Sequence, residues 1–141
     1  EAIVEEAAKR DLRIQWTGQQ SPSQVANLVG SAAFLVFPSL WYEGMPRTII
    51  EAFAKGTPVI TSQLGAMREL ITHDHNGVHF EPGNATGLAA LVDQLWCDPA
   101  RLLRMRSAAR AAYESHYGFE TNYQSLMAIY DQAQRTMKAN K

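Results

Sequence analysis

The chain has 141 residues, of which 46% are hydrophobic and 19% charged, and a formal net charge of −1 at pH 7. This length and composition suit one globular domain with a buried core, and the near-neutral charge argues against a nucleic-acid partner, which would require a basic excess. The single cysteine, Cys97, excludes an internal disulfide and a thiolate metal cluster. No apolar run long enough for a membrane span and no signal peptide are visible. The chain begins at Glu1 inside a helical pattern, so we expect a piece of a longer protein.

Strands and helices alternate through the first part of the sequence. Residues 12–17 alternate apolar with polar side chains, which predicts a half-buried strand that ends at Gly18. Residues 33–37 are a continuous apolar run, typical of a strand buried on both faces. The predicted elements are helix 1–10, strand 12–17, helix 21–30, strand 33–37, helix 46–55, strand 58–61, helix 66–72, strand 78–80, helix 85–97, helix 99–116 and helix 119–138. Because strands joined by helical crossovers run parallel, we predict an α/β fold, a Rossmann-like parallel sheet with flanking helices and C-terminal helices.

The segment from Glu43 to Thr48 combines the features of an anion site. It follows a predicted strand, so it lies at the carboxyl edge of the sheet, where ligands bind in such folds. Pro46 suits the first helical position, because the N–H that proline lacks would be unpaired there. The free N–H groups of Arg47 and Thr48, with the helix dipole, would attract an anion. Gly44 would let a ligand approach the backbone closely.

Two carboxylates flank this predicted anion site. Glu51 lies four residues after Arg47 and three after Thr48, so it shares their helix face. Glu51 would lie about one helical turn below the anion site. Its carboxylate would repel a phosphate there, but it can accept hydrogen bonds from a vicinal diol, such as that of a ribose. Glu43 can serve a second polyol, such as a hexose. An anion between two hydroxyl-rich groups describes a nucleotide sugar, and the alternative is a pair of ordinary solvated carboxylates.

At these residues the chain resembles a known family. Residues 43–52, EGMPRTIIEA, are similar to the E-G-x-P-x-x-x-x-E-A pattern of the retaining glycosyltransferases of family four (group 1), which have the two-domain GT-B fold. Further similar segments follow the family's order: WTG at 16–18, FPS at 37–39, AKGTPVI at 54–60, GAMRELI at 65–71, NGVHF at 76–80 and DP at 98–99. Ala66 stands where the family's pattern has a second glycine. Each segment is weak alone, but their order and spacing are specific.

The resemblance implies roles for particular residues. Glu51 would hold the donor ribose, and Glu43 would hold the donor sugar as the catalytic residue. The backbone around the helix start would hold the diphosphate, and the loop after residue 17 would border the nucleobase. The donor-binding residues predicted in this way are Gly18, Gln19, Glu43, Gly44, Met45, Pro46, Arg47, Thr48 and Glu51. The family uses no metal or other cofactor, and its products keep the anomeric configuration, by a front-face route or a covalent intermediate.

The resemblance also implies parts that this sequence does not match. In the family, a first strand with a Lys-Gly loop opens the donor domain, and an acceptor-binding domain precedes it. We therefore expect a partial donor domain at residues 1–118, without its first strands, and a C-terminal helix at 119–141. We expect an N-terminal acceptor domain as a partner, and no turnover by residues 1–141 alone. An exposed apolar face on the last helix can drive homodimerisation.

Several other side chains have a plain structural interpretation. His73, His75 and His79 are expected to be loop or surface residues that a turn separates, and not metal ligands. Cys97 is expected to be a buried small residue and not a nucleophile.

Two further groups of residues leave alternatives open. Trp41 and Tyr42 either stack on a sugar ring or base, or pack against the loop. Four arginines form a predicted solvated helix face, with contact to an anionic membrane surface as the alternative: Arg101, Arg104, Arg106 and Arg110.

The sequence thus predicts the donor-binding half of a retaining GT-B enzyme that transfers a hexosyl group from a nucleotide diphosphate sugar. On family grounds the acceptor is a sugar or a lipid-linked sugar in cell-surface polysaccharide synthesis. The expected location is cytoplasmic, with a peripheral position at the inner membrane face as the alternative. Two other functions stay open: a non-catalytic nucleotide-sugar-binding module or subunit of a split enzyme, and an epimerase of the same architecture.

Overall fold

A computed structural model describes Glu6 and residues 13–139 of the chain. In chain order, the elements are α1 (Pro22–Ser31), β1 (Leu35–Phe37), α2 (Arg47–Ala54), β2 (Val59–Ser62), α3 (Ala66–Leu70), β3 (Gly77–Phe80), α4 (Ala85–Trp96), α5 (Pro99–Ala112), a π-helical turn (Tyr113–Tyr117) and α6 (Phe119–Ala139). Most of the predicted helices and strands are confirmed to within a few residues. The predicted helix at 1–10 lies outside the described residues except for Glu6, which is helical.

The strands form a parallel sheet in the order β1-β2-β3. Leu35 of β1 is in register with Val59 of β2, which in turn is in register with Gly77 of β3. Because every strand runs in the same direction, the loops after β1, β2 and β3 leave from one edge. The predicted α/β class with a parallel sheet and flanking helices is therefore confirmed.

Two apolar clusters cover the two faces of the sheet. On one face, α2 and α3 pack Ile49, Phe53 and Met67 against Val59. On the other face, α4 packs Leu95 against Ile60 and the β3 side chains. Helix α5 joins both clusters, since Met105 belongs to the second and Ala109 to the first. All four residues of β2 are consequently buried.

Short polar side chains fix where the helices begin. Ser21 and Gln24 form a reciprocal capping box at the start of α1, with Ser21 N–H donating to Gln24 Oε1 at 2.9 Å. Asn84 accepts from Gly87 N–H at the start of α4, and Asp98 accepts from the backbone at the start of α5. The starts of these three helices therefore follow from local sequence signals.

Two strand predictions are wrong. Residues 13–17 of the predicted strand 12–17 form no strand, and Trp16 is 69% exposed; Leu12 lies outside the described residues. The alternating pattern has no partner here, because the described part of the chain supplies no strand that pairs with it. The predicted burial of strand 33–37 on both faces is the second wrong prediction. Among the described strands β1 pairs only with β2, so β1 lies at the edge of the sheet and Val36 is exposed. The strand that is buried on both faces is β2.

The predicted solvated arginine face is wrong for Arg101 and Arg106, which are partly buried, whereas Arg104 and Arg110 are exposed as predicted. Arg106 donates from Nη1 to the Ala32 carbonyl at 2.7 Å and from Nη2 to the Gly30 carbonyl at 3.0 Å. Arg110 donates to the Ala54 carbonyl and to Glu114. These side chains satisfy carbonyls at the ends of α1 and α2, a task that a helical wheel of α5 does not reveal.

Arg101 and Cys97 complete the corrections around α5. Arg101 donates to Asp74 Oδ1 at 2.6 Å, which ties α5 to the loop before β3. Cys97 is exposed and not buried, because it follows the last residue of α4, where the chain turns into α5.

Helix α6 leaves the sheet with much of its apolar face uncovered. Its exposed large apolar side chains are Phe119, Tyr123, Leu126, Met127, Ile129, Tyr130 and Met137. This exposure fits the expected uncovered face, whereas dimerisation through it stays a prediction, as do the domain bounds 1–118 and 119–141. Among the described helices, none has the length and apolar content needed to cross a membrane.

Candidate active site

The start of α2 presents unpaired backbone N–H groups at the carboxyl edge of the sheet. The helix begins at Arg47 and not at Pro46, whose extended backbone (φ −73°, ψ 95°) makes it the residue before the helix. The Pro46 carbonyl accepts from Ile49 N–H at 3.0 Å. Within the described part of the chain, the N–H groups of Gly44, Met45, Arg47 and Thr48 have no hydrogen-bond acceptor. Such a cluster of donors suits an anion.

Gly44 keeps the approach to these donors open. A Cβ at this position would meet nothing within 4 Å, so the space in front of the backbone is free. Pro46 behind it is buried, while Met45 and Thr48 are exposed. The loop is therefore accessible at Gly44, Met45 and Thr48 and is anchored in the fold by the buried Pro46.

Glu43 is held by a serine that the site predictions did not include. Ser39 Oγ lies 3.2 Å from Glu43 Oε1, and it accepts from Trp41 N–H at 3.2 Å. Glu43 is half-buried, whereas the side chains of Trp41 and Tyr42 point into solvent, 79% and 81% exposed. No sequence signal indicated this contact, because residues 39–46 are not helical and their spacing does not bring side chains together.

Gly65 supports the same loop from the other side. It has φ +52° and ψ −139°, and a Cβ there would lie 3.1 Å from Tyr42 Cδ1 and 3.5 Å from the Glu43 carbonyl oxygen. Only a glycine combines this backbone conformation with so close an approach. The sequence placed Gly65 in a motif, but its contact with the Glu43 loop comes from the fold.

Glu51 occupies a central position on α2. Its Oε1 lies 3.7 Å from Arg47 Nη2, which confirms that the two side chains share a helix face. Both are well exposed, 56% and 88% respectively, so this ion pair contributes little to stability and leaves the carboxylate available. Glu51 and its neighbour Ala54 line two clefts at once.

The first cleft, of about 460 Å³, lies between α1 and α2. Its lining is Gln20, Pro22, Val25, Ala26, Val29, Glu51, Ala54 and Lys55. The walls are mostly apolar, and Glu51 supplies a carboxylate at one end. Gly18, with φ +63°, and Gln19 are exposed just before Gln20 but do not line this cleft. The sequence prediction thus missed Gln20 and the apolar side chains of α1.

The second cleft, of about 310 Å³, lies between α2 and the C-terminal helices. Its lining is Met45, Arg47, Ile50, Glu51, Ala54, Tyr113, Tyr117 and Asn122. Burial raises the pKa of the Tyr117 phenol above its usual 10.0.

His73 and His75 lie in the loop before β3, and His79 lies within β3. Among the described residues, no group of three or more His, Cys, Asp or Glu side chains could hold a metal ion. The prediction that a turn scatters the histidines is wrong for two of them: the His73 and His79 rings stack with centroids 5.8 Å apart. Burial lowers the pKa of His79 below 6.5, although its Nε2 lies 3.2 Å from the Met67 carbonyl oxygen.

Comparison with known proteins gives matches over most of the chain. Residues 1–112 match the family model described as glycosyl transferases group 1. Among curated proteins, the chain is 32% identical over 135 residues to a glycogen synthase of Mycobacterium tuberculosis. That match covers 94% of this chain and 32% of the relative, so the chain spans about a third of its relative's length.

Solved structures share the fold. The structure of Anabaena HepE in complex with UDP superposes with a TM-score of 0.85 at 22% identity, covering 93% of this chain and 36% of that one. A glycosyltransferase of Rickettsia africae superposes with a TM-score of 0.83 at 27% identity, covering 93% and 35%. These likenesses confirm the Rossmann-like fold of a GT-B half. With the family match over most of its length, this chain belongs to the group 1 glycosyltransferases.

Proposed function

We propose that this chain is the donor-binding domain of a retaining hexosyltransferase that uses a nucleotide diphosphate sugar. The observation that carries the proposal is the position of Glu51. Its carboxylate lies at the wall common to two clefts and one helical turn from the unpaired N–H groups at the start of α2. The nucleoside would lie in one of these clefts, the diphosphate at the start of α2, and the sugar beside Glu43.

The cleft between α1 and α2 would take the nucleoside. Pro22, Val25 and Val29 give apolar walls for a base, and Gln20 provides an amide at the rim. Glu51 would accept two hydrogen bonds from the ribose diol, because an ionised carboxylate has acceptor capacity only. Gly18 and Gln19, next to Gln20 in the chain, would border the base.

The diphosphate would bind at the start of α2. The N–H groups of Gly44, Met45, Arg47 and Thr48 supply donors without a metal ion, and the helix dipole adds a favourable term of about 0.3–1 kcal/mol. The Arg47 guanidinium, beside Glu51, adds a positive charge nearby. The same donors would stabilise the negative charge that grows on the leaving diphosphate, which is where electrostatic catalysis acts.

Glu43 would contact the transferred sugar. It is on the loop that precedes the diphosphate donors, half-buried and ordered by Ser39. A carboxylate there can accept from sugar hydroxyls and favour positive charge at the anomeric carbon. Family membership supports a retained anomeric configuration and an acceptor in polysaccharide synthesis, and the name of the glycogen synthase relative fits a hexosyl donor.

Calorimetric titration with UDP, GDP and ADP tests the proposal, and UDP comes first because HepE was solved with it. One nucleotide should bind, and Glu51→Ala should weaken it by about 1–3 kcal/mol, through loss of a charged acceptor. Glu114→Ala is the matched control, since Glu114 is also an exposed helix carboxylate in an i,i+4 pair with arginine but lines neither cleft. Binding that is equally strong in wild type and Glu51→Ala would refute the proposal, as would no binding at millimolar nucleotide.

A non-catalytic binding module would give the same titration. Transfer or hydrolysis of the donor sugar separates it from an enzyme, and we expect residues 1–141 alone to show neither. The N-terminal acceptor domain as partner, the cytoplasmic location and peripheral membrane contact stay predictions of the same proposal.

A further inference from the structure

We propose that Ser39 is a positioning residue that aims the Glu43 carboxylate at the donor sugar. The inference rests on the proposed function, in which Glu43 contacts the sugar and Glu51 the ribose. It adds a residue outside the predicted site and assigns it to the sugar part of the donor alone.

The hydrogen bonds around Ser39 form a directed chain. Its hydroxyl accepts from Trp41 N–H at 3.2 Å, so the hydroxyl proton is free to point elsewhere. Two acceptors lie within reach, Glu43 Oε1 at 3.2 Å and the Trp41 carbonyl oxygen at 3.3 Å. The carboxylate is the stronger acceptor because it is charged. Ser39 therefore fixes one oxygen of Glu43 and leaves Oε2 without a bond from this hydroxyl.

The loop has few other internal restraints. Within the described part of the chain, residues 39–45 take part in no backbone–backbone hydrogen bond outside helices and strands. Trp41 and Tyr42 are mostly in solvent, so their side chains anchor the loop weakly. The Ser39 hydroxyl is thus the main hydrogen-bonding link between the end of β1 and Glu43.

Gly65 closes the opposite side of the loop. Its bare Cα lies against the Tyr42 ring and the Glu43 backbone, which limits movement of Glu43 away from Ser39. A carboxylate restrained in this way loses less conformational freedom when a sugar hydroxyl binds to it. Removal of the Ser39 hydroxyl should therefore weaken the sugar contact.

This role separates the sugar from the nucleotide. UDP, GDP and ADP lack the sugar, and their proposed contacts are Glu51, the α1–α2 cleft and the α2 N–H groups. Ser39→Ala should leave their affinity unchanged. It should reduce by about tenfold the extra affinity that the attached sugar gives, as expected for a lost hydrogen bond to a charged group.

Calorimetry on the chain with the pairs UDP and UDP-glucose, GDP and GDP-mannose, and ADP and ADP-glucose tests the inference. The measured quantity is the dissociation constant of the nucleotide divided by that of its nucleotide sugar, within the pair that binds. Ser39→Ala should lower this ratio, and Ser39→Thr, which keeps the hydroxyl, should retain it. Ser107→Ala, a serine on α5 that donates to the Leu103 carbonyl, is the control.

The outcomes distinguish the two proposals. If no nucleotide binds, the proposed function fails. If a nucleotide binds but wild type gains nothing from any sugar, or Ser39→Ala keeps the wild-type ratio, the positioning role of Ser39 is overturned while the nucleotide site stands. If Ser39→Ala weakens nucleotide and nucleotide sugar equally, Ser39 supports the loop generally and the inference is again wrong.

Discussion

Replacement of Arg106 by methionine is expected to lower the free energy of unfolding by about 2–4 kcal/mol. The guanidinium donates to two carbonyls at the C-terminal end of α1, those of Gly30 and Ala32, at 3.0 and 2.7 Å. Each hydrogen bond from a charged donor contributes about 1.5–3 kcal/mol. Because both bonds come from one side chain that is only half-buried, the sum is discounted for solvent screening. Methionine keeps an unbranched apolar stem, so the loss reports mainly the hydrogen bonds.

Urea denaturation followed by circular dichroism measures this change, and the chain offers a matched control. Arg104 lies on the same helix and is exposed, with no hydrogen bond or ion pair within the described part of the chain. Arg104→Met should therefore change the free energy of unfolding by at most about 0.5 kcal/mol. Equal losses for the two variants would refute the claim that Arg106 ties α5 to the end of α1.

Two further predictions concern the sheet and the partly buried His79. Gly77→Ala should lower the free energy of unfolding by about 1–3 kcal/mol in urea denaturation, because a Cβ at this position would overlap the Val59 carbonyl. The control Gly44→Ala places its Cβ in open space and should change the stability little. Equal effects of the two variants would contradict the strand register. Burial lowers the pKa of His79, so the unfolded chain takes up the proton first and stability should fall as pH drops below 6.5. Between pH 7 and 5, the free energy of unfolding should decline less steeply with pH in His79→Gln than in wild type. The control His75→Gln, at an exposed histidine, should keep the wild-type slope. An unchanged slope in His79→Gln would show that another group governs stability in this pH range.

Local patterns in the sequence predicted the order of the elements well. Serine, asparagine and aspartate cap the predicted helices α1, α4 and α5, and such a cap is a local signal because it depends on residues within one turn. The interpretation failed where a pattern needs a partner from elsewhere. Residues 13–17 alternate like a strand but form none, because no described strand pairs with them.

The candidate site shows the same division. The shared helix face of Arg47 and Glu51 could be predicted from their spacing, because it follows from helical periodicity, and their ion pair confirms it. The sequence could not predict that Gln20 and Val25 would line a cleft together with Glu51, because this cleft is formed by two separate segments of the chain that pack side by side. The roles of the predicted donor-binding residues stay predictions until a nucleotide is titrated.

The sequence by itself determined most of the helices and strands, the parallel direction of the sheet and the position of the loop that carries Glu43. These depend on hydrophobic periodicity, capping residues and glycine or proline at fixed offsets, all of which act within a few residues. Only the tertiary structure decided that β1 lies at an edge, that Arg106 holds the end of α1, and that Gly65 supports Glu43. Those facts depend on atoms from distant segments meeting at distances of about 3 Å, which no local pattern encodes.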